Sequence, residues 1–348
     1  MNIELLRALH DLEKEKGIDI DVLFEAVESA ILSAYKRDFG SNQNAKVVIE
    51  RKTGNCKVLA RKEVVEEVED KNIEISIDDA KKIYPNYKLK DFVEVEVTPQ
   101  NFGRIATQTA KQVIVQRIKE AERNMIYNEY VNRTGEIITG IVQRVEQRSV
   151  YIDLGKTEAL ILPQEQVPSE RYVHGMRIKT YIIEVRNTTK GPQILVSRTH
   201  PGLLKGLFEM EVPEIQEGIV ELKSVAREPG SRAKIAVHSK DINVDAVGAC
   251  VGSKGIRVNN VVDELNGEKI DIVKWDPDDS KFIANSLAPS KVIAVEIWEN
   301  EKIARVIVPD HQLSLAIGKE GQNARLAAKL TGWKIDIKSE TQMKELSF

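Results

Sequence analysis

The first 130 residues combine helical and strand-like patterns of apolar side chains. Residues 3–16 predict a short, highly charged helix. A second helix is predicted where apolar residues recur at steps of three and four, which places them on one face: Ile20, Phe24, Val27, Ile31 and Tyr35. Strands are predicted at four segments: 46–51, 56–59, 64–68 and 92–97. Together these patterns predict a mixed α/β domain.

The stretch from Arg104 to Tyr130 contains no glycine or proline and predicts one long helix. Its apolar stripe consists of Ala110, Ile114, Ile118, Ala121 and Met125. At 1.5 Å per residue, such a helix reaches about 40 Å. Because it ends where the composition changes, it is suited to be a semi-rigid connector. The alternative to a connector is that the first half of this helix packs in the core of the N-terminal domain.

After Gly135 the pattern becomes entirely strand-like, with glycine turns between the segments. The predicted strands are 135–142, 149–154, 159–162, 177–185 and 193–197. Five short strands in about 65 residues are typical of a small β-barrel of the OB type. Pro201 marks its end.

The last third of the chain contains an internal repeat. Gly252-Ser253-Lys254-Gly255 and Gly318-Lys319-Glu320-Gly321 lie 66 residues apart, and the tetrapeptide Lys-Ile-Asp-Ile recurs at 269–272 and 334–337. Around each glycine motif the pattern is helix, strand, strand, helix, glycine loop, helix, strand. A G-x-x-G loop between two helices is how KH domains clamp four backbone nucleotides. The order of elements predicts two tandem KH domains of the bacterial type.

The predicted fold is therefore a multidomain α+β chain. It consists of a mixed α/β N-terminal domain with a long connector helix, an OB-fold β-barrel and two KH domains. The predicted boundaries are 1–130, 131–200, 201–277 and 278–348.

The glycine loops carry the strongest candidate chemistry. Glycine lets the backbone approach a phosphate closely, and the helix that follows adds the positive end of its dipole. Lys254 and Lys319 supply charge beside those amides. The candidate RNA-binding residues are both loops and the turns beyond them: Gly252, Ser253, Lys254, Gly255 and Arg257, with Gly318, Lys319, Glu320, Gly321, Gln322, Asn323 and Arg325. Glu320 would repel a phosphate, so we expect its side chain to point away.

In the barrel, Tyr151 is the best candidate for stacking on a base, a contact worth about 1–3 kcal/mol in such folds. A half-buried core tyrosine is the alternative. Arg144 and Arg148 flank a turn beside it and are candidates for phosphate contacts. Four further basic residues could extend the groove, with solvated surface as the default for each: Arg171, Arg177, Lys179 and Arg186.

Composition and missing motifs limit the classes of function that the chain can have. The net charge is −3 and no segment is a basic block, so local patches must bind any nucleic acid. The five histidines lack ligand spacing, and the two cysteines predict reduced thiols. Asp276, Asp278 and Asp279 could hold Mg²⁺, but a linker with a helix cap is favoured. No catalytic motif, apolar span or signal peptide is visible, which predicts a cytoplasmic protein that is not an enzyme and uses no cofactor or metal.

The order of modules resembles the NusA family of bacterial transcription factors, over the whole chain. The most specific stretches are Phe102 to Val113 and Leu313 to Ile337, and the barrel resembles the S1 RNA-binding module. The resemblance implies a monomer that binds RNA polymerase through its N-terminal domain and nascent single-stranded RNA through the barrel and KH units. It also implies effects on pausing, termination and antitermination, together with other antitermination factors. The polymerase-facing surface would lie within residues 1–130, where the candidates are the helices at 3–16 and 20–38 and the basic stretch around Lys36, Arg37 and Lys46.

Two other functions use the same modules. The second hypothesis is an RNA-processing enzyme or a subunit of one, because KH and S1 domains also accompany exoribonuclease cores. The absence of a catalytic domain of that size and of a carboxylate metal site speaks against it. A ribosome-assembly or translation factor is the third hypothesis.

Overall fold

A computed structural model describes residues 3–16, 19–39, 44–99, 102–189 and 191–346. The chain forms two compact units, Met1–Met125 and Ile126–Phe348. The multidomain α+β architecture predicted from the sequence is confirmed. None of the helices in the described ranges is both long and apolar enough to cross a membrane.

The first unit packs helices against a four-stranded sheet. Its elements are α1 (Ile3–Lys16), α2 (Ile20–Phe39), β1 (Ala45–Ile49), β2 (Cys56–Val65), β3 (Glu74–Ser76), α3 (Ile77–Ile83), β4 (Phe92–Glu96) and α4 (Phe102–Val131), which continues into the second unit. Strand β2 is central, since it pairs antiparallel with β1 and β4 and parallel with β3. The strands predicted at 56–59 and 64–68 form this single strand because residues 60–63 pair with β4.

The core of the first unit forms where the helical periodicity predicts it. Phe24, Val27, Ile31 and Tyr35 on α2 are each at most 3% exposed. The Tyr35 ring meets the ring of Phe102 on α4 edge to face, with centroids 5.7 Å apart. The apolar stripe of α2 therefore packs against the start of α4 as well as against the sheet.

The second unit begins with a closed five-stranded barrel. Its strands are β5 (Ile137–Glu146), β6 (Ser149–Asp153), β7 (Glu158–Ile161), β8 (Arg177–Thr188) and β9 (Gly191–Ser197). They close in the order β5-β6-β7-β9-β8, with only β7 and β9 parallel among these pairs. The five strands predicted from the glycine-punctuated pattern correspond to these five.

Two KH units follow, each with a three-stranded sheet. The first contains α5 (Pro201–Glu211), α6 (Pro213–Gln216), β10 (Val220–Glu228), β11 (Arg232–Ser239), α7 (Ala246–Val251), α8 (Ile256–Glu264) and β12 (Lys269–Lys274). The second contains α9 (Asp279–Ser286), β13 (Ala294–Trp298), β14 (Ile303–Val308), α10 (Leu313–Ile317), α11 (Gln322–Thr331), β15 (Lys334–Ser339) and α12 (Glu340–Leu346). Helix α12 is an addition that the repeat pattern did not predict.

The repeat extends to strand register. Lys234 on β11 lies opposite Asp271 on β12, and Arg305 on β14 lies opposite Asp336 on β15. Both strand pairs are parallel. The shared tetrapeptides therefore occupy equivalent positions in the two sheets.

A buried ion pair on each side of the junction between the barrel and the first KH unit holds an arginine that donates across it. Arg198, just after β9, pairs with Glu170, and Arg227 on β10 pairs with Glu268; all four side chains are at most 2% exposed. Arg198 also donates to the carbonyl of Glu264 at 2.8 Å, and Arg227 donates to the carbonyl of Arg198 at 2.9 Å. The two arginines form one connected network, because Arg198 of the barrel donates to the KH unit and Arg227 of the KH unit donates back to Arg198.

The junction between the KH units is mainly apolar. The outer face of the first sheet contributes Ala226, Ala236 and Val273. Helices α9 and α11 of the second unit cover that face with Phe282, Leu326 and Leu330. Small side chains on the sheet let the helices approach closely.

We predict that Arg227→Met destabilises the second unit by about 3–5 kcal/mol, because it leaves the Glu268 carboxylate buried without its partner. Arg186→Met, which breaks the exposed pair with Glu184, is the matched control and should cost about 1 kcal/mol or less. Urea unfolding of both variants measures the difference. Equal costs would show that the junction does not depend on the buried pair.

Acid should weaken the same junction. Burial raises the pKa of the Glu170 carboxyl, but hydrogen bonds and charge from Arg198 outweigh it and hold this pKa below its usual 4.5. Its stabilisation is therefore present above pH 4.5 and is lost as the pH falls through the folded-state pKa. Urea unfolding across this range should give a steeper loss for the wild-type chain than for Glu170→Gln. If the free energy of unfolding of the two proteins fell in parallel with pH, Glu170 would not be the group that makes the junction acid-sensitive.

Candidate nucleic-acid interface

The two glycine loops have the same backbone geometry. Gly252 and Gly318 have φ of 73° and 77° with ψ near the extended limit, at 174° and 173°, a region that is essentially restricted to glycine. Lys254 and Glu320 both have φ of 53°. Two segments of different sequence adopt one conformation, as expected if the loop shape itself is what the repeat preserves.

A side chain at the first glycine of either loop would collide with the helix that follows. A Cβ at Gly252 would lie 2.7 Å from Cγ of Arg257, and one at Gly318 would lie 2.8 Å from the backbone nitrogen of Asn323. The loop therefore packs tightly on its own helix. Neither α8 nor α11 has a side-chain hydrogen bond at its N-cap, so amides of the first turn are left without that partner.

The lysines of the loops are free to meet an anion. Lys254 and Lys319 are exposed, and neither has an ion pair within the described ranges. A cavity of about 410 Å³ lies beside the second loop, between the KH units. Its lining includes Arg232, Lys269 and Lys319, so basic groups of both units converge there.

Arg257 and Asn323, predicted to contact RNA, brace the loops from behind. Arg257 donates to the carbonyl of Ala249 at 2.6 Å and to Glu214 at 2.9 Å. Asn323 is buried and donates to the carbonyl of Ala316 at 3.0 Å. Both side chains thus connect the helix before the loop to the helix after it. Their contact with RNA stays a prediction, and for Asn323 the burial opposes it.

Gln322 and Arg325 connect the second loop to the first KH unit. Both donate to the carboxylate of Glu228 at the end of β10, at 2.8 and 2.9 Å. Arg325 also donates to the carbonyl of Glu320 at 2.6 Å. The sequence did not indicate a role for Glu228, because it lies in neither glycine motif and almost a hundred positions before Gln322 and Arg325.

In the barrel, the side chains of Arg144 and Tyr151 form a cation–π contact with each other. The Arg144 guanidinium lies over the Tyr151 ring, with Cζ 4.0 Å from the centroid. Its edges meet the carboxylates of Glu158 and Glu146. Arg148, in contrast, is exposed at the turn between β5 and β6 with φ of 66°. Within the described ranges its guanidinium has no ion pair.

The four secondary basic candidates divide into two groups. Lys179 pairs with Glu264 at 3.3 Å, at the junction with the first KH unit, and Arg186 pairs with Glu184 at 2.8 Å. Arg171 and Arg177 are exposed, and no ion pair involves either of them in the described part of the chain. The latter two are the better placed to add charge to a groove.

The described residues contain no group of three or more His, Cys, Asp or Glu side chains placed to hold a metal ion. Asp278, from the acidic run before the second KH unit, caps α9 by accepting from the amide of Ser280 at 3.0 Å. The predicted helix cap is therefore present. Burial raises the pKa of the thiols of Cys56 to about 11 and of Cys250 to about 12, so neither is a thiolate at neutral pH.

Four family models match the chain in succession. They describe a NusA N-terminal domain at residues 4–124, an S1 RNA binding domain at 132–197, a NusA-like first KH domain at 198–275 and a NusA-like second KH domain at 279–345. The matches follow the order of modules in the structure.

Proteins named transcription termination/antitermination protein NusA are similar along nearly the whole chain. The protein of Halalkalibacterium halodurans is 62% identical over 346 residues, 99% of this chain and 91% of that protein. The Bacillus subtilis protein is 61% identical, with 99% and 93% covered. The Thermus thermophilus protein is 43% identical over 357 residues, with 99% and 92% covered. The resemblance found in the sequence is confirmed, and the chain belongs to the NusA family.

Proposed function

We propose that this chain is a transcription elongation factor that binds RNA polymerase and nascent single-stranded RNA. Through these contacts it modulates pausing, termination and antitermination, without catalysing a reaction. Its relatives' names refer to termination and antitermination. The observation that carries the proposal is the pair of glycine loops of one geometry, held in the same unit as the barrel.

The RNA-binding part comprises the barrel at 131–200 and the KH units at 201–277 and 278–348. Each loop offers exposed lysine charge beside backbone amides at the start of a helix, which suits a phosphate. The chain's net charge of −3 gives little general attraction to RNA. Affinity therefore comes from several modest contacts made together, since linked sites raise each other's effective concentration.

The polymerase-binding part is residues 1–130. The whole chain acts as a monomer, and other antitermination factors can join it on polymerase. A groove of about 740 Å³ lies between α2 and α4. Its lining is mostly uncharged and includes Ala30, Ser33, Ile105, Gln108 and Gln112, together with Arg37 paired with Asp38 at 2.8 Å. Lys36 and Lys46 are exposed nearby in sequence. The groove supplies shape, and the two lysines supply positive charge, for a protein partner.

We predict that Lys254→Asp combined with Lys319→Asp weakens single-stranded RNA binding about tenfold or more without unfolding the exposed loops. The slope of log K against log salt should fall by roughly 1.4, since each phosphate contact contributes about 0.7. Fluorescence anisotropy of labelled RNA measures both. Lys205→Asp, a single Lys→Asp substitution on an exposed residue of α5, is the control and makes half of this charge change. Equal affinity of the double variant and the control would refute the clamp.

Polymerase binding should reside in the N-terminal fragment. The compact unit Met1–Met125 should bind purified RNA polymerase, and the unit Ile126–Phe348 should bind it more weakly or not at all. Co-elution by size-exclusion chromatography tests this. Binding by the second fragment alone would reverse the assignment. Ribosomal particles without polymerase, captured from extract by the full chain, would favour a translation role.

A further inference from the structure

We propose that the barrel stacks one RNA base on the open face of the Arg144 guanidinium, and that Arg144 makes no phosphate contact. This inference rests on the proposed RNA-binding function and specifies the chemistry of one subsite within it. It differs from the expectation drawn from the sequence, in which Arg144 contacts a phosphate and Tyr151 provides the stacking surface.

A β-bulge brings Arg144 onto Tyr151. Val142 lies opposite Ile152, but the register shifts at the next position so that Arg144, and not Gln143, lies opposite Tyr151. Val150 and Ile152 are fully buried in the barrel, so Tyr151 between them points outward. Bulges commonly re-aim a side chain. Here the bulge places a planar cation on an outward-facing ring, 4.0 Å from Cζ to the centroid.

The edge of the guanidinium is already occupied. Nη1 and Nη2 both donate to Glu158, the latter at 3.0 Å, and Nε lies 2.9 Å from Glu146. Two carboxylates thus surround one cation, which leaves a local net charge of −1. A phosphate would have to displace a carboxylate and would be repelled by the other.

The face turned away from Tyr151 is what remains for a ligand. The Arg144 side chain is 38% exposed although three of its sides are in contact. RNA bases stack on arginine planes as well as on aromatic rings. A base needs no further N–H donor, and a neutral base is not repelled by the carboxylates. Glu146 and Glu158 hold the guanidinium plane in place, so little conformational entropy is lost when a base stacks on it.

Arg148 provides a matched comparison within the same barrel. It is exposed, and no ion pair engages it in the described residues, so its donors are free for a phosphate. The two arginines are close in sequence but should behave differently towards salt. A phosphate contact contributes to the salt dependence of binding, whereas a stacked base does not.

The test is binding of labelled single-stranded RNA to the full chain at several salt concentrations. Arg144→Lys keeps the charge but loses the plane, so affinity should fall at least about fivefold, the lower end for a stacked base, with the salt slope unchanged. Arg144→Gln should also leave the slope unchanged. Arg148→Gln should lower it by about 0.7. Tyr151→Phe keeps the ring and should bind as wild type.

A second readout separates a lost contact from a damaged barrel. In RNA carrying 2-aminopurine at successive positions, wild type should quench one position strongly, and Arg144→Lys should lose that quenching alone. Wild-type affinity of Arg144→Lys, a slope change in Arg144→Gln equal to that of Arg148→Gln, or quenching lost uniformly would overturn the inference. Absence of RNA binding by the wild-type chain would instead overturn the proposed function.

Discussion

The junction between the barrel and the first KH unit is held by charged side chains that have almost no contact with water. Arg198 with Glu170 and Arg227 with Glu268 are buried together. Removing such charges from water costs several kcal/mol for each ion, and the cost is recovered only when the pairs and their remaining hydrogen bonds form in good geometry. Because the arginines also bind backbone carbonyls across the junction, one arrangement of the two modules satisfies all the groups at once.

The second KH unit depends on this arrangement in turn. Its helices cover the apolar outer face of the first KH sheet, and Glu228 at the edge of that sheet fixes Gln322 and Arg325 beside the second glycine loop. The candidate RNA-binding groups of three modules therefore have set positions relative to one another within one unit. This fixed alignment is why we propose that a chain with net charge −3 binds RNA through a few contacts made together.

Sequence pattern was sufficient for most of the fold. The helical face of α2, the five barrel strands and the two KH units followed from periodicity, glycine placement and the repeated tetrapeptide. Local signals do not report pairs such as Glu170 with Arg198, or Glu228 with Arg325, because the partners lie far apart in the chain and meet only when it has folded. Their residues look like ordinary surface charges in the sequence.

The positions of the candidate side chains followed from the sequence, but their contacts were harder to predict. Arg257 and Asn323 lie beside the loops as expected, but they brace them through backbone carbonyls. Arg144 and Tyr151 are neighbours as expected, but a single inserted residue in β5 stacks one on the other. Spacing along a strand cannot reveal a bulge, so the sequence alone could not separate a phosphate contact from a stacking surface.

We propose that this chain holds emerging RNA while it is bound to polymerase and thereby changes how long polymerase pauses. The dwell time of purified RNA polymerase at a hairpin-dependent pause, measured with and without the chain, tests this proposal. We expect a longer dwell time once the transcript is long enough to reach the barrel and KH units. An unchanged dwell time, with the chain bound to polymerase, would contradict it.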